Sequence, residues 1–481
     1  MAGPERPALA RRSFDRLDPL TAVSPLDGRY AEESKPIRQY SSELATMSVR
    51  VEVEAKYLVA LSDYGVIRNM SQKERVFLEK LGPRLTLADG RRIKYIEKSP
   101  GGTDHDLKAV ELWMKERFKG ISLEDLSEMI HFSLTSEDVD NLALRLNIQR
   151  LTENIYIPAA EGIVDNLLNK AEQYKELPVE GRTHGQDALP VTYGHEFAVF
   201  AERIEDEVEK LENQKLKGKL NGAVGVFSAH TATMPDVDWI DFSEKFVRSL
   251  GLDYKLATTQ TNPYEDILER IQIVQRINNV VRDMDQDMWR YISDDWLAQE
   301  IIKTATGSST MAQKVNPIQL ENSEAHTELS SGNVDIFVRE LPISRLQRDL
   351  SDSALRRYIM PNVYATSLIS YKNALTGLKK VYPDTDVIGL ALDSNWAVMS
   401  EFAQQTLRRA GYDNAYMTLK DRVRGVKVDT KEKWEQIVRS LPGVTDELIT
   451  KILSQTPRTY LGKSAEITDI TIAKCKVKIL A

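Results

Sequence analysis

Apolar residues recur every three or four positions through most of the middle of the chain. Ile267, Ile271, Val274, Ile277, Val281, Met284, Met288 and Tyr291 form one such stripe. That period matches the turn of an α-helix and predicts a single long one. Its span of about 26 residues reaches roughly 39 Å at about 1.5 Å per residue. Phe197, Phe200, Ile204, Val208 and Leu211 make a second stripe, with Glu and Lys on the opposite face, and Tyr364, Leu368, Tyr371, Leu375 and Leu378 make a third. The stretches Leu142–Leu168 and Ala325–Leu341 supply two more, with Pro158 able to kink or bound the former. Long amphipathic helices need partners along their length. The pattern therefore predicts an all-α chain with a long central helical bundle over 126–380. A flexible N-terminal tail (1–20), a smaller N-terminal helical domain (21–125) and a C-terminal helical domain (381–481) flank it. Turn signals at Ser24-Pro25, Asp27-Gly28 and Pro100-Gly101-Gly102 punctuate the N-terminal domain, and Pro383-Asp384 opens the last.

One segment breaks the period. Lys303–Pro317, KTATGSSTMAQKVNP, is polar and contains Gly307, a Ser-Ser-Thr run and a closing Asn-Pro. A loop of this length between two long helices is uncommon, and such loops are usually functional or disordered.

Composition narrows the options. The 481 residues exceed one compact core. A net charge of −8, from 64 Lys+Arg and 72 Asp+Glu, gives no general attraction for nucleic acid. An anionic ligand would need positive charge gathered locally. The single cysteine, Cys475, excludes a disulfide framework within one chain and fits a reducing compartment. No apolar run reaches the ~18 residues of a membrane span. The first twenty residues lack an apolar core and carry Glu5, Asp15 and Asp18 among their arginines. A cytoplasmic tail is expected rather than a secretory or transit signal.

The sequence holds no phosphate-binding Gly-x-x-x-x-Gly-Lys loop, no Gly-x-Gly-x-x-Gly and no Gly-x-Ser-x-Gly. Its six histidines show no metal-ligand spacing, so no metal is expected. Four polar clusters remain: Thr103–Glu111 (TDHDLKAVE), His131–Asp138 (HFSLTSED), Gly181–Gln186 (GRTHGQ) and Gly307–Pro317 with Glu321 and Asn322. Taken singly, His131 reads as a half-buried histidine within a helix. Thr135-Ser136-Glu137 reads as a helix cap, and His184 as the better functional candidate in a Gly-rich turn.

Taken together and in order, these clusters resemble a known family. GSSTMAQKVNP is similar to the signature loop of the fumarase/aspartase superfamily. SPLDGRY, HDLKAVE, HFSLTSED, RTHGQ, NGAVG, TTQ, ENSE and SRLQRDLSDS occur in the order found in its adenylosuccinate lyase branch. The resemblance covers about 20–481. It implies a β-elimination releasing fumarate from adenylosuccinate to give AMP, and from the succinyl-carboxamide ribotide of purine synthesis (SAICAR) to give AICAR. It implies no cofactor, no membrane and a cytoplasmic homotetramer with shared active sites.

By position in the motifs, the resemblance implies Ser308 as base, His184 as acid and Glu321 as the carboxylate that orients it. Lys314 and Asn316 match contacts to the fumaryl carboxylate, with Thr135 and Ser136. Arg29, Tyr30, Arg348, Ser353 and Arg357 match positions that hold the nucleotide and its phosphate. His105 and His131 join the catalytic set, and Asp104, Asp106, Gln260 and Asn322 the binding set. The chemistry suits these residue types: a weakly acidic proton beside a carboxylate needs a base and electrostatic support, and the departing nitrogen needs an acid. Arginine forks suit phosphate.

The chain departs from the family pattern at Ala312-Gln313, where the family has a proline and a ring, at Asp104 (family Asn) and at Asp187 (family Pro). It departs also at Thr261-Asn262-Pro263-Tyr264 (family Ile-Glu-Pro-His) and at Val226. Asp104 is expected to bring a second carboxylate near an anionic substrate. Two further readings stand beside the lyase: a paralogue cleaving another N-succinyl compound, and an inactive scaffold of the same fold.

Overall fold

The computed structural model describes residues 18–301, 311 and 313–479. Ser308, Gly307 and Ala312 lie outside the described residues, as does the expected tail before residue 18. The apolar stripes form the expected helices, and the architecture is all-α. The principal helices are α1 (Glu43–Asp63), α2 (Asp106–Phe118), α3 (Ser136–Leu151), α4 (Ile157–Gln173), α5 (Tyr193–Asn213), α6 (Glu265–Ser293), α7 (Ile318–Glu340) and α8 (Thr366–Lys380). Helix α6 has 29 residues, roughly 44 Å. Its stripe from Ile267 to Met288 is buried at every apolar position. A π-helical turn, Thr152–Tyr156, joins α3 to α4 just before Pro158. The wider turn absorbs the missing proline N–H, so the chain continues as a helix rather than stopping.

The chain divides into two compact units, each built from three separate stretches. The first contains Met1–Ala159, Lys210–Asn278 and His326–Ser370. Here α1 packs on α3. Helix α1 is buried nearly all round, yet Arg50, Glu52 and Glu54 interrupt its valines. Each charge is met: Arg50 by Asp140 (2.7 Å), Glu52 by Arg150 (2.8 Å) and Glu54 by His131 (2.6 Å). Buried charges persist only when paired in this way. Within the same unit, Asn278 of α6 donates to Ser330 of α7 and Ser367 of α8, both at 3.0 Å. The two serine hydroxyls lie 2.9 Å apart. This satisfied polar cluster fixes the register of three helices.

The second unit contains Ala160–Glu209, Asn279–Ala325 and Tyr371–Ala481. Its C-terminal part has shorter helices around a core that includes Trp434, Leu407, Met399 and Ile452. It also holds a β-hairpin that helical periodicity does not predict, β1 (Pro178–Thr183) antiparallel to β2 (Gln186–Thr192). Further strand pairs are minimal: Lys217–Gly218 with Asp253–Tyr254 in the first unit, Leu297–Gln299 with Val381–Pro383 in the second. Among the described residues no helix is long and apolar enough to cross a membrane.

Candidate active site

His131 is not in a helix. It lies in the turn before α3 with left-handed backbone, φ 62°, a conformation that costs a non-glycine residue and must be held in place. The holder is Glu54. One carboxylate oxygen accepts the His131 backbone N–H at 3.1 Å, and the other meets Nδ1 at 2.6 Å. Burial pulls the imidazole pKa down, but the bond to Glu54 and the charges of Glu54, Glu111 and Asp138 outweigh it, so the net direction is up. His105 caps the N-terminus of α2, its Nδ1 accepting the Lys108 N–H at 3.2 Å. Nε2 therefore carries the proton, facing Ser136 Oγ at 3.3 Å. His105, His131 and Ser136 line one cavity of about 260 Å³.

Thr135 is the N-cap of α3, as the sequence suggests. Its N–H donates to Asp138 Oδ2 at 2.9 Å, and its hydroxyl accepts from Gln260 Nε2 at 3.1 Å. Asp138, fully buried, also accepts from the N–H groups of Asn221 (3.0 Å) and Gly222 (3.1 Å) and from Lys219 Nζ (2.9 Å). One carboxylate thus ties HFSLTSED to NGAVG. Gly225 completes the junction: a Cβ there would stand 2.1 Å from the Thr258 carbonyl, so only glycine lets NGAVG approach TTQ. Residues from three distant motifs meet here because their polar groups satisfy one another in a buried place.

A second cluster in this unit gathers arginine. Arg348 donates to Glu137 (2.7 Å) and to Ser353 (3.4 Å), and Arg357 faces Asp106 at 3.6 Å. Burial raises the Asp106 pKa, but Arg50, the Leu107 N–H and Arg357 together outweigh it and hold the carboxyl down at about 2. Tyr30 packs edge-on against His326, ring centroids 4.7 Å apart, and Arg29 is exposed. The sequence offered one signal for the inner partners Arg50, Glu54, Glu137, Asp140 and Arg356, which the motif reading missed. Charges interrupting an apolar run such as VRVEVEAKYLVAL must find partners.

In the second unit, His184 and Gly185 form the two-residue tip of the β1–β2 hairpin, with φ of 55° and 69°. Left-handed backbone at both central positions is the geometry that suits the twist of the flanking strands. It leaves the His184 side chain exposed. Arg182, two residues before it, bonds Asp294 at 2.9 Å and stacks over Trp296 at 4.5 Å. The hairpin is therefore anchored at its base and open at its tip. Glu321 accepts from Trp289 Nε1 at 3.2 Å; among the described residues no hydrogen bond joins it to His184. Lys314 and Gln313 are exposed, Asn316 and Asn322 half-buried. Among the described residues no group of three or more His, Cys, Asp or Glu is arranged to hold a metal ion.

Several departures from the family pattern have structural partners. Asp104 is exposed and paired with Lys98 at 2.6 Å. Asn262 is buried and donates to Asn141 (2.9 Å) and the Lys217 carbonyl (2.8 Å). Tyr264 is buried and donates to Asp352 Oδ2 at 2.6 Å. Asp187 is exposed and pairs with Arg182 across the hairpin, whereas Val226 is simply exposed.

Comparison with known proteins fits this geometry. A lyase family model matches residues 28–333, and the adenylosuccinate lyase C-terminal model matches 344–461. The adenylosuccinate lyase of Escherichia coli K12 is 37% identical over 457 residues, covering 94% of this chain and 99% of the relative. That of Dictyostelium discoideum is 37% identical over 460 residues, covering 93% and 97%. Among solved structures, a fumarate lyase from Mesorhizobium sp. BNC1 superposes with a TM-score of 0.72 at 17% identity, over 91% of this chain and 97% of the other. The 3-carboxy-cis,cis-muconate lactonizing enzyme of Pseudomonas putida gives 0.71 at 16%, over 92% and 98%. These two likenesses show the shared fold. The sequence relatives and both domain models show more: the chain belongs to the adenylosuccinate lyase family.

Proposed function

We propose that the chain cleaves adenylosuccinate to AMP and fumarate, and SAICAR to AICAR and fumarate. The observation that carries this reading is the 37% identity to a curated adenylosuccinate lyase across 94% of the chain and 99% of that relative. In the proposed step, the Ser308 oxygen takes the proton from the carbon beside a succinyl carboxylate. The released electron pair forms the new C=C bond, the C–N bond breaks, and the nitrogen takes a proton from His184. Lys314, Asn316, Thr135 and Ser136 hold the fumaryl carboxylate. Arg29, Tyr30, Arg348, Ser353 and Arg357 hold the nucleotide and its phosphate, with Asp106, Gln260 and Asn322 beside it.

Local geometry supports parts of this. His105 directs an N–H toward Ser136, Gln260 bonds Thr135, and both arginines of the pair Arg348 and Arg357 are oriented by carboxylates. The engagement of Asp104, Asn262 and Tyr264 by structural partners favours the family's own substrates over a different N-succinyl compound.

We also propose that the working form is a cytoplasmic homotetramer. Apolar side chains left exposed on the long helices support assembly, among them Val199, Trp289, Leu329 and Ile336. The exposed His184 tip and the bond of Glu321 to Trp289 are consistent with a site completed by other subunits. The deciding experiment supplies purified protein with adenylosuccinate and SAICAR side by side. Turnover of neither, with turnover of another succinyl amine, selects the paralogue; no turnover of any selects the scaffold.

A further inference from the structure

In the first unit the proposed ligand contacts are the two ends of one chain of alternating charge. Arg348 Nη2 donates to Ser353 Oγ at 3.4 Å, and its Nη1 to Glu137 Oε2 at 2.7 Å. Glu137, 1% exposed, accepts as well from Arg356 Nη1 at 3.0 and 3.1 Å. Arg356 Nη2 donates to Asp140 Oδ2 at 3.1 Å, and the other Asp140 oxygen accepts from Arg50 Nε at 2.7 Å. Arg50 Nη2 donates to Asp106 Oδ2 at 2.9 Å, the same oxygen that faces Arg357 at 3.6 Å. Four guanidiniums thus alternate with three carboxylates, and a cavity of about 300 Å³ borders Arg50, Asp106, Asp140, Arg356 and Arg357.

We propose that Arg356 is a positioning residue: by bridging Glu137 and Asp140 it fixes Arg348 and the Asp106–Arg357 pair relative to one another, and so sets the span of the anion-binding site. The proposal rests on the reading that those end residues hold the nucleotide. Its physical basis is the planar guanidinium, which presents separate N–H groups to two carboxylates in fixed directions. Each carboxylate in turn has a second arginine to aim, Arg348 on Glu137 and Arg50 on Asp140. A lysine in place of Arg356 keeps the charge and loses that fork. The relay is buried in the middle and opens most at the Arg357 end, where a ligand would meet it: Arg356 is 9% exposed, whereas the Arg357 side chain is 63% exposed.

The test is Arg356→Met with Arg356→Lys beside it. Both carboxylates keep one arginine in the methionine variant, so neither is left without a partner. The expected result is a KM for adenylosuccinate raised about tenfold or more with kcat within about threefold of wild type, the pattern of a displaced binding group. Arg356→Lys restores only part of the loss. A general structural defect would instead lower kcat and the melting temperature together. Crystal structures of wild type and Arg356→Met supply a second readout, in which the Arg348 guanidinium or the Asp106 carboxylate moves by about 1 Å or more. If both groups stay in place, or KM is unchanged, the proposal is wrong. If the wild-type protein cleaves no succinyl nucleotide, the substrate reading fails on its own, and the paired structures still decide the role of Arg356. Should the methionine variant not fold, Asp140→Asn, which keeps the shape and weakens the same bridge, carries the same expectation.

Discussion

Lys219→Met gives a quantitative check on how the site is held. Lys219 and Asp138 are both fully buried, with Nζ 2.9 Å from Oδ1. Methionine fills a similar volume and removes the cation, so the cost is electrostatic rather than a cavity. Removing one partner of a buried ion pair costs about 3–5 kcal/mol, because the other charge stays behind. Asp138 keeps the N–H groups of Thr135, Asn221 and Gly222, which places the expectation at the lower end, about 3 kcal/mol. Equilibrium urea denaturation at one fixed protein concentration measures it, since subunit association would otherwise contribute. The double variant Lys219→Met/Asp138→Asn removes both charges and should lose less than the two single losses added, because the groups are in contact. Thr135 is held by the same carboxylate, and Gln260 bonds the Thr135 hydroxyl, so the KM for adenylosuccinate should rise in Lys219→Met as well. A single-variant loss under about 0.5 kcal/mol, the size of an ordinary surface change, or strict additivity in the double variant, refutes the view that this pair holds the motifs together.

Further expectations follow from the proposed chemistry and from burial. Ser308→Ala and His184→Ala should each slow fumarate release by at least ~10²-fold, the low end for positioned acid–base groups; a wild-type rate in either removes the role from that residue. His131→Asn, which tolerates the left-handed backbone, should destabilise in a pH-dependent way. The His131 pKa is raised above its reference of 6.5, so the stabilisation from its protonated pair with Glu54 is fully present below that value and lost as pH rises through the folded one. Thermal melts across that window should show the variant's deficit shrinking with rising pH, and a constant deficit contradicts the pairing.

Much of the helical framework was legible because long stripes of period 3.6 have one economical solution. The stripes at Ile267–Tyr291 and Phe197–Leu211 fall within α6 and α5, and the polar break ends where α7 begins at Ile318. The hairpin around His184 was not legible. Its strands are short, Gly181 marks an irregular register, and the Gly-rich tip reads equally as a loop. HFSLTSED reads as helical through His131 because nothing in it signals left-handed backbone; the conformation is held by Glu54, 77 positions earlier. The arginine relay was invisible for the same reason. Arg50, Asp140 and Arg356 are joined across 90 and 216 positions, and local periodicity carries no information at that range. What the sequence did show was their type: charges set in apolar helices, each requiring a partner.

The central claim is a fumarate-releasing cleavage of a succinyl nucleotide. It is tested most directly by quantifying fumarate and AMP in the same sample after purified protein is mixed with adenylosuccinate. The two products should appear in equal amounts and at equal rates. Intact adenylosuccinate after prolonged incubation, with SAICAR likewise untouched, would contradict it.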